Sequence, residues 1–174
     1  MQKARKSRAV FLYIYYTTCQ QSKQVLFFGA ARRIMARKGD DLMTLYHGSS
    51  VPHLTELKPF LSNHEKPFVY LTDDPTLALL YAHNPIARPG GFFPYWFDSS
   101  GQLHYDEFFS GQTRLIYEHH DGWVYSAETQ DLPRLDKMPW VYLSNTPVPL
   151  RGAEHIPDLY RALLDAEKAG RIII

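Results

Sequence analysis

Cysteine is nearly absent from this chain of 174 residues: the single one, Cys19, stands in a basic N-terminal segment. One thiol excludes a disulfide framework and a cysteine-based metal site, and it suits a reducing cytosol, so we predict a cytoplasmic protein. Long hydrophobic runs are also missing. The apolar run from Ala9 to Tyr16 is too short to span a bilayer, so the sequence predicts no transmembrane segment.

Several familiar catalytic motifs do not occur either. The chain lacks both glycine-rich phosphate patterns, G-x-G-x-x-G and G-x-x-x-x-G-K, which excludes the common dinucleotide and P-loop sites. No serine lies in G-x-S-x-G, and His64 and Glu65 begin an H-E-x-x-H in which Phe68 replaces the second histidine. His119 and His120 would point to opposite sides of a strand, so we predict no metal site.

Positive charge is concentrated near the N-terminus. Residues 1–42 hold nine Lys and Arg and two acids, whereas residues 43–174 hold ten Lys and Arg and sixteen Asp and Glu. The second part therefore has a formal charge of about −6. Because nucleic-acid phosphates require a basic surface, this charge disfavours a nucleic-acid partner.

Residues 1–42 do not share the pattern of the rest, and we treat them as a basic leader outside the folded domain. Three interpretations stay open. The segment is a disordered leader or an incorrectly assigned start, since Met43 directly precedes the first clear strand. Alternatively it is a secretion or surface-anchoring signal, with a basic start and a short apolar run. The third interpretation is a packed helix over residues 24–37.

Residues 43–174 have the pattern of one α+β domain, in which short apolar runs alternate with proline and glycine turns. No repeat and no alternating βαβ period is present. The expected elements are a strand ending at Gly48, a short helix ending before Pro59, a strand over 68–72, a helix capped by Thr72, Asp73 or Asp74, a strand pair turning at Ser99 to Gly101, a hairpin turning at Asp121 and Gly122, an extended stretch over 139–150, a helix with Ile156, Leu159, Leu163 and Ala166 on one face and Gly170 as its cap, and a closing strand over 171–174.

Two segments of this domain combine residue types that suit a binding site. The first, YHGSS, ends a strand in His47 and Gly48, so an imidazole lies at the rim of the sheet and the glycine admits a ligand to the backbone. The second, VYLTDDPTLALLYA, has Tyr70 on a strand and Tyr81 on the helix that follows. If the chain folds back between them, both rings line one cleft, which suits a planar ligand.

These two segments resemble the first two motifs of the diphtheria-toxin-like and poly(ADP-ribose)-polymerase-like ADP-ribosyltransferases, the H-Y-E class. In that class a Tyr-His-Gly strand precedes a Tyr-x-Thr/Ser-Asp segment, and a second tyrosine follows the first by eleven positions, as Tyr81 follows Tyr70. The likeness covers residues 43–82. It implies two packed, mostly antiparallel sheets with short flanking helices, and NAD-dependent transfer of ADP-ribose to an acceptor.

The third motif of the class is a glutamate late in the chain. GAEHIPDLY offers Glu154, which Ile156 follows, and Glu128 in WVYSAE is the rival. We prefer Glu154 for its late position, although a glutamate just before a helix is often a surface residue that matches the helix dipole. Gly152 stands where the arginine-modifying branch has a second acidic or amide residue, so the resemblance does not extend to that branch.

The resemblance also implies the roles of the site residues, with NAD as a consumed substrate. Glu154 would stabilise the positive charge that develops on the ribose when nicotinamide leaves. The residues that would contact NAD are His47 through a ribose hydroxyl, Gly48 through its backbone and the nicotinamide amide, Tyr70 and Tyr81 through stacking on the nicotinamide ring, and Ser49 and Thr72 through their hydroxyls.

Other functions on the same fold stay open. The chain is alternatively a non-catalytic module that binds a nucleotide or a partner, an NAD glycohydrolase, or an enzyme similar to the RNA 2′-phosphotransferases. The acidic charge of residues 43–174 disfavours the last of these. The acceptor, whether protein, nucleic acid or small molecule, is not identified by the sequence.

Overall fold

The computed structural model of the chain describes residues 42–61, 66–83, 94–136 and 138–174. The leader predicted over residues 1–42 therefore lies, apart from Leu42, outside the described residues, as do His64 and Glu65. No helix in the described part of the chain is long and apolar enough to cross a membrane.

The described residues form short strands and three helices, with bounds as follows. The strands are β1 (Met43–Ser49), β2 (Glu56–Leu57), β3 (Val69–Thr72), β4 (Tyr95–Phe97), β5 (Leu103–Tyr105), β6 (Gly122–Thr129), β7 (Arg134–Leu135), β8 (Met138–Ser144), β9 (Val148–Pro149), β10 (Gly152–Ile156) and β11 (Ile172–Ile173), and the helices are α1 (Pro75–Tyr81), α2 (Gln112–Tyr117) and α3 (Leu159–Lys168).

The strands are arranged in one large sheet and two small ones. The large sheet has the order β10-β6-β1-β3-β8-β7, and its neighbouring strands are antiparallel. A second sheet has the order β11-β5-β4, with β11 parallel to β5, and β2 pairs with β9. The predicted α+β class with mostly antiparallel sheets is confirmed.

Apolar side chains fill both faces of the large sheet. On one face, residues of α1, α2 and α3 form a core with the second sheet; its members include Leu80, Tyr117 and Leu163. On the other face, Leu45 of β1 and Leu71 of β3 pack in a smaller core with β2 and β9. Because successive residues of a strand face opposite sides, β6 contributes to both layers, with Val124 packed against the first core and Ala127 in the second.

The predicted caps of two helices, α1 and α3, are confirmed. Asp74 caps α1, since its Oδ1 accepts hydrogen bonds from the backbone N–H groups of Thr76 at 2.7 Å and Leu77 at 3.2 Å, and Pro75 begins the helix. Gly170 follows α3 with a φ of +70°, and its N–H donates to the Glu167 carbonyl at 2.8 Å.

Three predictions about local structure are wrong. The short helix before Pro59 does not form, because Leu57 is buried in the smaller core, in a strand that pairs with β9. The hairpin at Asp121 and Gly122 is replaced by α2 and the long strand β6. Ile156 belongs to β10 rather than to the last helix.

Helix α1 lies directly on the large sheet at two glycines. A Cβ atom added to Gly48 of β1 would overlap the carbonyl oxygen of Ala78 and lie 2.6 Å from the backbone nitrogen of Ala82. At Gly122 of β6 an added Cβ would lie 2.9 Å from the Cβ of Ala82. The helix backbone thus occupies the space that side chains would take.

We expect Gly48→Ala to destabilise the fold by about 3 kcal/mol, because the new methyl group meets backbone atoms that cannot rotate away. Gly101→Ala is the matched control: this exposed turn glycine has a φ of +84° and open space around its Cβ position, so about 1 kcal/mol of backbone strain is expected. Urea unfolding of both variants measures the difference. Equal losses would contradict the close approach of α1 to β1.

Candidate functional site

The side chain of His47 joins β1 to β3. Its Nδ1 lies 2.9 Å from the backbone carbonyl oxygen of Tyr70. Because a carbonyl oxygen only accepts hydrogen bonds, Nδ1 carries the proton, and in the neutral ring Nε2 is left as an acceptor. Burial lowers the pKa of His47, and the hydrogen bond to Tyr70 opposes this effect in part. The ring is therefore neutral at pH 7.

The backbone groups of Gly48 face β3. Since Arg151 N–H donates to the carbonyl of Ser126 at 2.8 Å, the backbone groups of Ser126 face β10. Backbone groups alternate in direction along a strand, so those of the neighbouring residue Tyr125 point the other way, toward β1. There they face the backbone groups of His47, which is opposite Tyr125. It follows that the N–H and C=O groups of Gly48 point to the other side of β1.

The ladder between β1 and β3 stops just before Gly48. The register of this pair consists of Tyr46 opposite Thr72. A continued ladder would set Gly48 opposite Tyr70, but the Tyr70 carbonyl accepts from the His47 ring instead. We call this interruption of the ladder, between Gly48 on β1 and Tyr70 on β3, the β1–β3 split.

The predicted residues are divided between the two faces of the sheet. Gly48 faces α1, and alternation from Tyr46 and its partner Thr72 places Tyr70 and Thr72 on the same face. His47 lies on the opposite face with Ser49. Helix α1 therefore covers the face of the sheet above Gly48, and the backbone groups of Gly48 point into the β1–β3 split.

Both predicted hydroxyl residues make hydrogen bonds within turns. Thr72 is buried, and its Oγ1 accepts from the backbone N–H of Asp74 at 3.1 Å, just before α1. Ser49 Oγ accepts from the backbone N–H of Val51 at 3.1 Å. These bonds shape the turns that follow β3 and β1, and a hydroxyl can still donate its own proton to a ligand.

The two tyrosines are held by aromatic residues that sequence reasoning missed. Tyr70 makes edge-to-face contacts with Phe60 at 6.0 Å and Phe68 at 6.4 Å between ring centroids. Tyr81, which ends α1 and is 41% exposed, contacts the ring of Tyr95 edge-on at 5.9 Å, and its hydroxyl donates to the Tyr95 hydroxyl at 3.1 Å. Only the position of Phe68, two residues before Tyr70 and so on the same face of an extended chain, could have indicated one of these contacts from the sequence.

Glu154 lies in the same row of the sheet as Gly48. It is opposite Val124 of β6, which is opposite Gly48 of β1. Opposite residues share a face, so the carboxylate points to the α1 side, and two strand spacings place its Cα about 10 Å from that of Gly48. Its side chain is exposed.

The rival glutamate is farther from the split. Glu128 is opposite Thr44, four residues before Gly48 on β1, and it is exposed. Four residues of strand correspond to about 13 Å. The structure therefore brings Glu154, and not Glu128, level with the β1–β3 split.

The side chain of His155 lies on the same face of the large sheet as that of His47. His155 Nε2 lies 2.8 Å from Asp121 Oδ2, and the His155 ring packs against Trp123 with centroids 4.7 Å apart. Among the described residues, no group of three or more His, Cys, Asp or Glu side chains is placed to hold a metal ion.

Comparisons of the chain with protein-family models, with curated proteins and with solved structures found no match. Assignment to a family therefore depends on the motifs and on the geometry of the β1–β3 split.

Stability should depend on the protonation of His47. Its folded pKa lies below that of the unfolded chain, about 6.5, so the unfolded state binds the proton more readily and stability is lost as pH falls below that value. His47→Asn keeps an N–H donor for Tyr70 but does not titrate. Urea unfolding between pH 7.5 and 5 should show the wild type losing more stability than this variant, by at most about 1.4 kcal/mol per pH unit.

The control for this experiment is His53→Asn, which removes an exposed histidine whose φ of +59° asparagine tolerates. It should keep the pH dependence of the wild type. If the His47 variant also keeps it, His47 is not held neutral in the fold.

Proposed function

We propose that this protein is an NAD-dependent ADP-ribosyltransferase of the H-Y-E class, with an ADP-ribosyltransferase-like fold. The observation that carries the proposal is the β1–β3 split, where His47 replaces a ladder hydrogen bond and the backbone groups of Gly48 point toward β3. In this function NAD is consumed, and its ADP-ribose passes to an acceptor that is not identified.

The groups at the split match those of nicotinamide. A carboxamide has one acceptor oxygen and an N–H donor, and the backbone of Gly48 offers the complementary donor and acceptor. Tyr70 and Tyr81 would supply aromatic faces for the pyridinium ring, which is positively charged in NAD and gains from such contacts. The Nε2 of neutral His47 would accept a hydrogen bond from a ribose hydroxyl.

Glu154 would act on the bond between nicotinamide and ribose. Nicotinamide leaves with the electron pair of that bond, and positive charge develops on the ribose ring. A carboxylate in the row of Gly48 stabilises this charge and can accept the proton of an attacking hydroxyl or amine. The bond to the acceptor then replaces the bond to nicotinamide at the same ribose carbon.

A non-catalytic binding module is the second candidate function. The observation that favours it is the exposure of Glu154, because catalytic groups are normally held in place by neighbouring side chains. In that case the split would bind NAD or a related nucleotide without turnover. Plain NAD hydrolysis would use the same residues, with water as the acceptor.

Nicotinamide release tests the catalytic role of Glu154. The full chain is incubated with cell extract and NAD labelled in the nicotinamide, and we expect Glu154→Gln to slow release about 100-fold because charge stabilisation is lost. Glu128→Gln is the matched control and should react at the wild-type rate.

Three other results are informative. Equal rates for wild type and Glu154→Gln would show that Glu154 is not catalytic. If neither protein turns over NAD but both bind it, the second candidate function is correct. If neither binds NAD, both proposals are wrong.

The stacking role of the tyrosines is tested by NAD affinity, measured by calorimetry on the full chain. Loss of an aromatic face should weaken binding about tenfold in Tyr70→Leu and Tyr81→Leu. Phe109→Leu removes an exposed ring that has no assigned role and should leave affinity unchanged. Unchanged affinity in both tyrosine variants would contradict the proposed pocket.

A further inference from the structure

The hairpin formed by β4 and β5 carries a stacked pair of rings that the proposed reaction does not use. Trp96 of β4 is opposite His104 of β5, and their rings are nearly parallel, with centroids 4.2 Å apart and an interplanar angle of 14°. His104 thus covers one face of the indole.

Two carboxylates fix this pair from its edges. The Nε1–H of Trp96 donates to Asp106 Oδ2 at 3.0 Å, and His104 Nε2 lies 3.1 Å from Asp98 Oδ2. Hydrogen bonds from the Ser100 hydroxyl and from His104 lower the pKa of Asp98, so its carboxylate stays charged. The indole is therefore held in one orientation with negative charge at its side.

The Trp96 side chain is partly exposed to solvent. The residue is 39% exposed although His104 stacks on it. Tryptophan is highly buried on average, so an exposed indole that is also fixed by hydrogen bonds is a candidate contact for a ligand. Such a residue loses little side-chain entropy on binding.

The negative charge of the hairpin favours a positively charged ligand. Residues 94–113 contain three acids, Asp98, Asp106 and Glu107, and no Lys or Arg. This local charge has the same sign as that of residues 43–174, which repels phosphates and favours a basic partner.

We propose that the outer face of Trp96, together with Asp106, binds the guanidinium group of an arginine in an extended peptide. A guanidinium is planar, so it can lie on the indole while its N–H groups reach the adjacent carboxylate. An ammonium group cannot stack in this way. The ligand class is therefore a peptide that contains arginine.

The Trp96 site is adjacent to Tyr95, which contacts Tyr81 of the proposed nicotinamide pocket. Tyr95 precedes Trp96 on β4, so its side chain points to the opposite face of that strand, where it contacts Tyr81. A peptide bound at Trp96 would therefore lie on the face of β4 opposite to Tyr95. The inference does not depend on the proposed reaction, because peptide binding is measured without NAD.

Binding is tested on the full chain at pH 7.5 by following the indole N–H signals of the three tryptophans by NMR. The probe is the acetylated and amidated peptide Gly-Gly-Arg-Gly-Gly, and the comparison peptide carries neutral citrulline in place of arginine. We expect the Trp96 signal to shift with the arginine peptide, and about tenfold weaker binding of the citrulline peptide.

Variants of the protein complete the test. Asp106→Asn keeps the shape of the side chain and should weaken binding of the arginine peptide about fivefold. Trp96→Leu should weaken it at least tenfold, measured by calorimetry because this variant has no Trp96 signal. Asp165→Asn removes one exposed negative charge on α3 and should bind as the wild type does. An unshifted Trp96 signal in the wild type, or equal binding of the two peptides, would overturn the proposal, and neither result requires the variants to fold.

Discussion

The close packing of α1 on the large sheet is the constraint on which the rest of the site depends. At Gly48 and Gly122 the helix backbone touches the strands, so no side chain can separate the two layers. This contact fixes the end of α1, and with it Tyr81, over β1 and β6. It also closes the face of the sheet above Gly48, so that the backbone groups of Gly48 point only toward the β1–β3 split.

The ladder between β1 and β3 ends there because a side chain takes the place of a backbone partner. The ladder from Tyr46 and Thr72 would continue to Gly48 and Tyr70, but the imidazole of His47 bonds to the Tyr70 carbonyl. The carbonyl is satisfied, so the strands can separate without leaving a buried acceptor unpaired. One histidine thus ends the ladder and keeps the Tyr70 carbonyl paired, while burial favours the neutral form of its imidazole.

Sequence reasoning succeeded where the deciding interaction is local. Asp74 with Pro75 at one helix, and Gly170 at another, act within a few residues, so their chemistry can be read directly from the chain. It failed at the short helix before Pro59, because burial of Leu57 against the distant strand β9 decides that segment. The hairpin predicted at Asp121 and Gly122 failed for a similar reason, since Gly122 begins a long strand between two partners.

The same distinction applies to the candidate site. The motifs identified His47, Tyr70 and Tyr81, which lie in two neighbouring segments of the chain. They could not identify Tyr95, because the contact with Tyr81 joins the second sheet to α1 and has no periodicity in the sequence. Nor could they show that Glu154 and Gly48 share a row, since the register of β10, β6 and β1 is set by packing along three strands. A motif therefore locates the candidate contact groups more readily than the residues that hold those groups in place.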